Sequence, residues 1–223
     1  PELIGLPLRG VFGAEDKSRL AFAAAVADSI VMGPGMGIAR TIPRWLKFLC
    51  GFGKPCVIDA DALNSFSFSK TKWWKWIEST SVLTPHPGEM RRLSASAGMR
   101  YDAEIPTSDD ARIEWALWGA KTFGQILLLK GHRTIVTDGS RVYVNHTGDS
   151  TLAKGGSGDV LSGVIGSLIG QGMEPFDAAC AGAWLHGRAG EIAGTRRGQR
   201  SALARDVIDA LGEAFASAQG RAN

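Results

Sequence analysis

The chain has 223 residues, enough to fill one sizeable hydrophobic core. With 44% hydrophobic residues, 21% charged residues and a formal net charge of +3, it has the composition of a folded globular protein and argues against disorder and against a nucleic-acid partner. No run reaches the roughly 18 apolar residues of a membrane span, and no basic segment leads into an apolar core at the N-terminus, so a cytoplasmic protein off the membrane is expected. Cys50, Cys56 and Cys180 lack Cys-x-x-Cys spacing and read as reduced, mostly buried thiols.

In chain order, the first 20 residues open on PELIGLPL, Gly10, Gly13 and a charged stretch, with the look of a broken start. An apolar run over 27–32 ends in Gly33-Pro34-Gly35-Met36-Gly37, the pattern of a buried strand delivering a glycine-rich turn. Residues 41–50 place Ile42, Trp45, Leu46 and Leu49 on one helical face. Lys54-Pro55 restarts the chain into a short strand, Cys56-Val57-Ile58, which runs into Asp59-Ala60-Asp61-Ala62-Leu63-Asn64. A helix near 70–78, a strand at Ser81-Val82-Leu83 and a further helix after TPHPGE repeat the alternation.

A helical period covers about 108–122, and a strand over 125–129 stops at Lys130-Gly131. Asp138-Gly139 sits between two alternating segments, 134–137 and 141–144, and predicts a hairpin. The final third reads as helices over 158–169, 175–192 and 203–215, with Ala178, Ala179, Gly182 and Ala183 small enough for close packing. No linker divides the chain, so 1–223 is expected to be one α/β domain with a mostly parallel central sheet and helices on both faces. Ligands in such a fold sit beyond the carboxyl ends of the strands.

The strongest candidate site is Lys154-Gly155-Gly156-Ser157-Gly158-Asp159. A glycine-rich turn opening a helix presents backbone amides and the positive helix end to an anion. Asp159, in the first turn, is placed to take a proton from a substrate hydroxyl, or else to cap the helix. Asp59 and Asp61 suit a water-mediated magnesium ion, or else Asp61 and Asn64 cap the next helix. His86 with Glu89 suits a strand-end contact to substrate, and Lys130-Gly131-His132-Arg133-Thr134 a nucleotide phosphate. Trp73, Trp74 and Trp76 fit an amphipathic helix or a subunit contact.

Taken together, GPGMG at 33–37, VIDADALN at 57–64, LTPHPGE at 83–89, LLLKGHRTIV at 127–136, NHTG at 145–148, GGSGDVLSG at 155–163 and AGAWLHGRAG at 181–190 resemble the ADP-dependent NAD(P)H-hydrate dehydratase family. The resemblance implies a ribokinase-like fold and repair of hydrated NADH or NADPH, S epimer, by phosphorylation from ADP and loss of phosphate, with Mg2+ and release of AMP. It implies Asp159 as the base, Gly35, Gly37 and His86 against the hydrated dinucleotide, and Lys130, Gly131, His132, Arg133, Thr134, Gly156 and Gly158 against the nucleotide. Relatives carry a further strand-helix-strand region before the equivalent of residue 1, so an N-terminally incomplete fold is expected, with a homo-oligomer or partner chain completing it. A small-alcohol or vitamin-precursor kinase of the same superfamily, and a nonenzymatic nucleotide-binding or assembly protein, are the competing expectations.

Overall fold

A computed structural model describes residues 13–69, 71–99 and 105–220. The PELIGLPL opening and Lys70 lie outside the described residues. Six strands form one sheet whose spatial order follows the chain: β1 (Ile30–Met32), β2 (Cys56–Ile58), β3 (Val82–Leu83), β4 (Ile126–Leu129), β5 (Ile135–Thr137) and β6 (Val142–Val144). The first four run parallel, and β4, β5 and β6 pair antiparallel, with Leu128 opposite Val136 and Val136 opposite Tyr143. The Asp138-Gly139 hairpin is therefore present, and Gly139 takes the positive φ that its turn needs.

Helices α1 (Ala14–Val26), α2 (Ile42–Cys50), α3 (Ala60–Ser67), α4 (Pro87–Ser96), α5 (Asp109–Phe123), α6 (Ser157–Gly170), α7 (Pro175–Arg197) and α8 (Ala204–Gln219) complete the described fold. Strand pleating sorts the core into two clusters. Ile58, Leu83, Leu127 and Leu129 point toward the layer holding α2 to α5, where Trp45, Phe66, Trp73 and Trp115 are buried. Val57, Val82, Ile126 and Leu128 point the other way, toward α6, α7 and α8. Both faces of the sheet are thus covered, as a parallel sheet of apolar strands requires. Among the described residues no helix is long and apolar enough to cross a membrane.

Two sequence expectations change. Part of the apparently broken start is α1, an alanine-rich helix with Glu15 and Asp16 in its first turn, where acidic groups favour the helix end. The helix expected near 70–78 reduces to one 3-10 turn at Trp73–Trp76, and the helix lies earlier, at α3. Asp59 starts it: in extended conformation, it accepts the Ala60 amide and acts as its N-cap. Trp73 is fully buried and stacks on Phe66, ring centroids 4.6 Å apart, so its place is the core rather than a subunit contact.

Candidate active site

Backbone ladder bonds continue past the ends of the parallel strands. The Asp59 amide donates to Met32 O at 3.1 Å, that of Thr84 to Ile58 O at 3.1 Å, and that of Lys130 to Pro85 O at 2.9 Å. Pleating keeps Asp59 on the same face as Val57 and Lys130 on the same face as Leu128, which is the face covered by α6. The two opposite charges therefore meet beneath the start of α6.

Asp59 is 1% exposed, and its carboxylate is fully engaged. Oδ1 accepts from Lys130 Nζ at 2.6 Å and from the Ala60 amide at 2.8 Å, and Oδ2 accepts from Ser162 Oγ at 2.8 Å. Glu89 Oε2 lies 3.8 Å from the same ammonium. A Cβ added at Gly158 would stand 3.4 Å from Lys130 Nζ and 3.6 Å from Asp59 Oδ2, so the first turn of α6 rests directly on the pair. Any longer side chain at 158 would displace the ammonium.

The glycine turn after β1 is held on the same side. At Gly33, φ is +127°, and a Cβ there would lie 1.8 Å from Asp59 O; only glycine lets the turn pass that carbonyl. The Gly37 amide donates to Asp61 Oδ2 at 2.8 Å. Asp61 thus ties down the turn instead of capping α3.

His86 is the N-cap of α4. Its Nδ1 accepts the amides of Gly88 and Glu89, and Glu89 Oε2 accepts the His86 amide at 2.8 Å, a reciprocal capping box. An accepting Nδ1 puts the ring proton on Nε2, 3.4 Å from Glu89 Oε1. Partial desolvation lowers the His86 pKa against the opposing pull of Glu89, while Lys130 and Arg92 lower it further. The ring is accordingly neutral at physiological pH and half exposed at the mouth of the site.

A cavity of about 630 Å³ opens between Lys130 and α7, lined by all five residues from Lys130 to Thr134, by Ser157 and Gly158 of α6, and by His186. The floor of that turn is fixed by the buried Arg112, whose Nη1 donates to His132 O at 2.6 Å. Arg133 adopts φ +55° and pairs with Asp109, so its charge is already partnered. On the far wall Ser157 Oγ lies 3.1 Å from His186 Nε2. Burial pushes the His186 pKa down to about 4, leaving a neutral imidazole behind the first turn of α6.

Gly156 takes a left-handed conformation as the N-cap of α6. It and Asp159 face a second cavity of about 610 Å³, bounded by Val160, Gly163, Val164 and, from α8, Ala204, Ile208 and Phe215. The Asp159 side chain is exposed, and no hydrogen bond or ion pair to it is found among the described residues. Gly158 and Asp159, adjacent in sequence, thus address the two cavities from the same helix start. Chemically, the arrangement offers amides, a helix N-terminus and an ammonium for an anion, and beside them a carboxylate free to take a proton.

The sequence model of the NAD(P)H-hydrate dehydratase family matches residues 1–212. The chain belongs to this family. It is 40% identical over 190 residues to the bifunctional NAD(P)H-hydrate repair enzyme of Moorella thermoacetica, covering 84% of this chain and 34% of that protein. To the ADP-dependent (S)-NAD(P)H-hydrate dehydratase of Neisseria meningitidis it is 42% identical over 166 residues, covering 73% of this chain and 54% of that one. The chain thus spans between about a third and about a half of the length of these relatives. Among solved structures, the ADP/ATP-dependent NAD(P)H-hydrate dehydratase of Bacillus subtilis, co-crystallized with ATP/Mg2+, superposes with a TM-score of 0.72 at 26% identity. That match covers 87% of this chain and 68% of the Bacillus chain. The fold is accordingly the ribokinase-like α/β fold expected from the motifs.

Within this family member, the structure gathers Lys130, Gly131, His132, Arg133, Thr134 and Gly158 around one cavity, and places Gly156 and Asp159 at the other. His86, after β3, and the turn carrying Gly35 and Gly37, after β1, stand on either side of the β2 end, joined to the centre through Glu89 and Asp61. Both turn glycines have positive φ and open space where a Cβ would go, so their requirement is conformational. Sequence reasoning passed over Ser162 and Arg112, and it read His186 as a packed helix residue, which its burial within α7 matches. Only Asp59 and Lys130 carried a usable signal, being polar residues in step with the buried face of their strands.

Proposed function

We propose that the chain dehydrates the S epimer of hydrated NADH or NADPH at the expense of ADP, restoring the reduced cofactor and releasing AMP and phosphate. The observation that carries this reading is the start of α6. There Asp159, without a competing partner among the described residues, adjoins Gly158, whose other side meets the Lys130 ammonium and the 630 Å³ cavity. Asp159 removes the proton of the ring hydroxyl as its oxygen attacks the terminal phosphorus of ADP. The bond from that phosphorus to the bridging oxygen breaks, and AMP departs with the electron pair. Phosphate then leaves with the former hydroxyl oxygen, and a proton lost from the adjacent ring carbon restores the double bond. Amides at the start of α6 stabilise the charge that gathers on the phosphoryl oxygens.

Lys130, Gly131, His132, Arg133 and Thr134, with Gly158, line the cavity assigned to the nucleotide, and Gly156 shapes the turn beside it. Gly35, Gly37 and His86 are assigned to the hydrated dinucleotide. Magnesium fits as an ion carried on the nucleotide phosphates. Among the described residues no three His, Cys, Asp or Glu side chains converge as ligands, and Mg2+ keeps waters and takes few carboxylates. When bound, the ion would neutralise phosphoryl charge.

The proposal takes 1–223 as one catalytic domain working in the cytoplasm. It includes an oligomer or partner chain, an arrangement supported by β1, which pairs on one side only among the described residues and where Val31 is 41% exposed. The test is recovery of absorbance in the reduced-nicotinamide band with hydrated cofactor, magnesium and ADP. Recovery with stoichiometric AMP is expected. Turnover of a free alcohol with ATP, and none of the hydrate, would replace this reading with a small-alcohol kinase.

A further inference from the structure

Asp59 and Lys130 form an ion pair that the fold itself does not need. Two charges taken out of water recover little net stability by pairing, and an apolar pair of similar volume holds a core as well. Two positions earlier on the same strands, Val57 and Leu128 occupy the same face with ordinary aliphatic packing. The change from apolar to ionic occurs where the strands leave the core and meet the cavity. Asp59 is 1% exposed, yet the Lys130 side chain is 20% exposed and lines that cavity.

The ammonium has three protons to donate, and one hydrogen bond from it, to Asp59 Oδ1, is made among the described residues. Its further neighbour, Glu89 Oε2, is at 3.8 Å, beyond hydrogen-bonding distance. Ser162 Oγ and the Ala60 amide hold the Asp59 carboxylate on both oxygens, so Asp59 cannot turn and Lys130 is pinned over Gly158. The remaining N–H groups of the ammonium thus share a space with the amides of α6.

We propose that Asp59 is a positioning residue, which fixes the Lys130 ammonium at the start of α6 to grip the terminal, transferable phosphoryl group of a nucleoside diphosphate. This rests on the function proposed above and adds what distinguishes the donor from a nucleoside monophosphate. The grip is released when the group has gone, which favours departure of the monophosphate.

Calorimetric titration of ADP and AMP, beside kcat and KM in the repair assay, tests it with Asp59→Asn, Lys130→Met, Lys130→Arg and Ser162→Ala, each checked by melting temperature. Wild-type protein should bind ADP at least about 10-fold more tightly than AMP, the ratio expected of a charge-assisted contact to the extra phosphoryl group. Asp59→Asn and Lys130→Met should erase most of that ratio with AMP affinity unchanged within about 3-fold, while kcat falls about 10- to 100-fold, the scale of lost support to a site ligand. Lys130→Arg should restore part of the ratio, which a merely structural role would not explain.

A folded Asp59→Asn protein that keeps both the ratio and kcat overturns the proposal. Should that variant fail to fold, Ser162→Ala decides: a measurable drop in ratio and kcat supports positioning, and no change overturns it. A wild-type protein that shows the ADP preference without acting on the hydrate sinks the repair reading and leaves the positioning of Lys130 supported. One that binds neither nucleotide overturns both.

Discussion

The two faces of the sheet are packed by opposite means. Toward α2 to α5 the core is filled by bulk, with Trp73, Trp115, Phe66 and Phe123 all essentially inaccessible. Toward α6 to α8 it is filled by closeness. A Cβ at Gly166 would lie 2.3 Å from Val31, at Gly182 2.6 Å from Ile165, at Gly187 2.1 Å from Thr147 Oγ1, and at Gly190 2.6 Å from Leu152. Bulk holds a layer at a distance; missing side chains let a neighbour's side chain press against the helix backbone. The proposed site lies on the second face, where the amides of α6 stand at the strand ends.

The contrast can be broken from either side. Removing bulk should be the costliest change: Trp73→Ala empties the ring space between Phe66 and Phe123 and is expected to cost about 3–5 kcal/mol in urea unfolding, with ADP affinity retained in the folded fraction. Protonation of His186 should act on the close-packed face. The folded pKa of His186 lies at about 4 against the ordinary 6.5, so its stabilising contribution is complete above pH 6.5 and is lost as pH falls toward 4. Between pH 7.5 and 5 this group should remove about 2 kcal/mol, a loss that His186→Gln should abolish when the two proteins are compared at both pH values.

Next in size comes added volume. Gly187→Ala forces Thr147 aside and should cost about 1–3 kcal/mol, together with weaker ADP binding because Thr147 lines the 630 Å³ cavity proposed for the nucleotide. The smallest effect sharpens the rule by its sign. Gly163 lies in α6 but has nothing within 4 Å of a Cβ, so Gly163→Ala should raise stability by up to about 1 kcal/mol; a loss of that size would mean that closeness is not what the glycines provide.

Local chemistry in the sequence foretold most of the architecture. The alternation of strands and helices, the Asp138-Gly139 hairpin and the proline-started helices rest on signals within a few residues of one another. The misplaced helix near 70–78 has a physical reason. Asp59 and Asp61 read as a magnesium-binding pair, or Asp61 and Asn64 as caps of a later helix, whereas Asp59 caps the helix that begins at the very next residue and contains both Asp61 and Asn64. Polar residues in step with a buried strand face made Asp59 and Lys130 readable as partners in principle. Ser162 joins Asp59 from 103 positions away, and His186 joins Ser157 from 29, so neither contact exists before the helices dock.

Asp159→Asn tests the central claim most directly, measured as turnover of hydrated cofactor with ADP and as ADP affinity on the same folded protein. The variant should keep its melting temperature and its ADP affinity while kcat drops about 100- to 10,000-fold, the range for loss of a general base. Full turnover in the variant would contradict the assignment of α6 as the centre of proton and phosphoryl transfer.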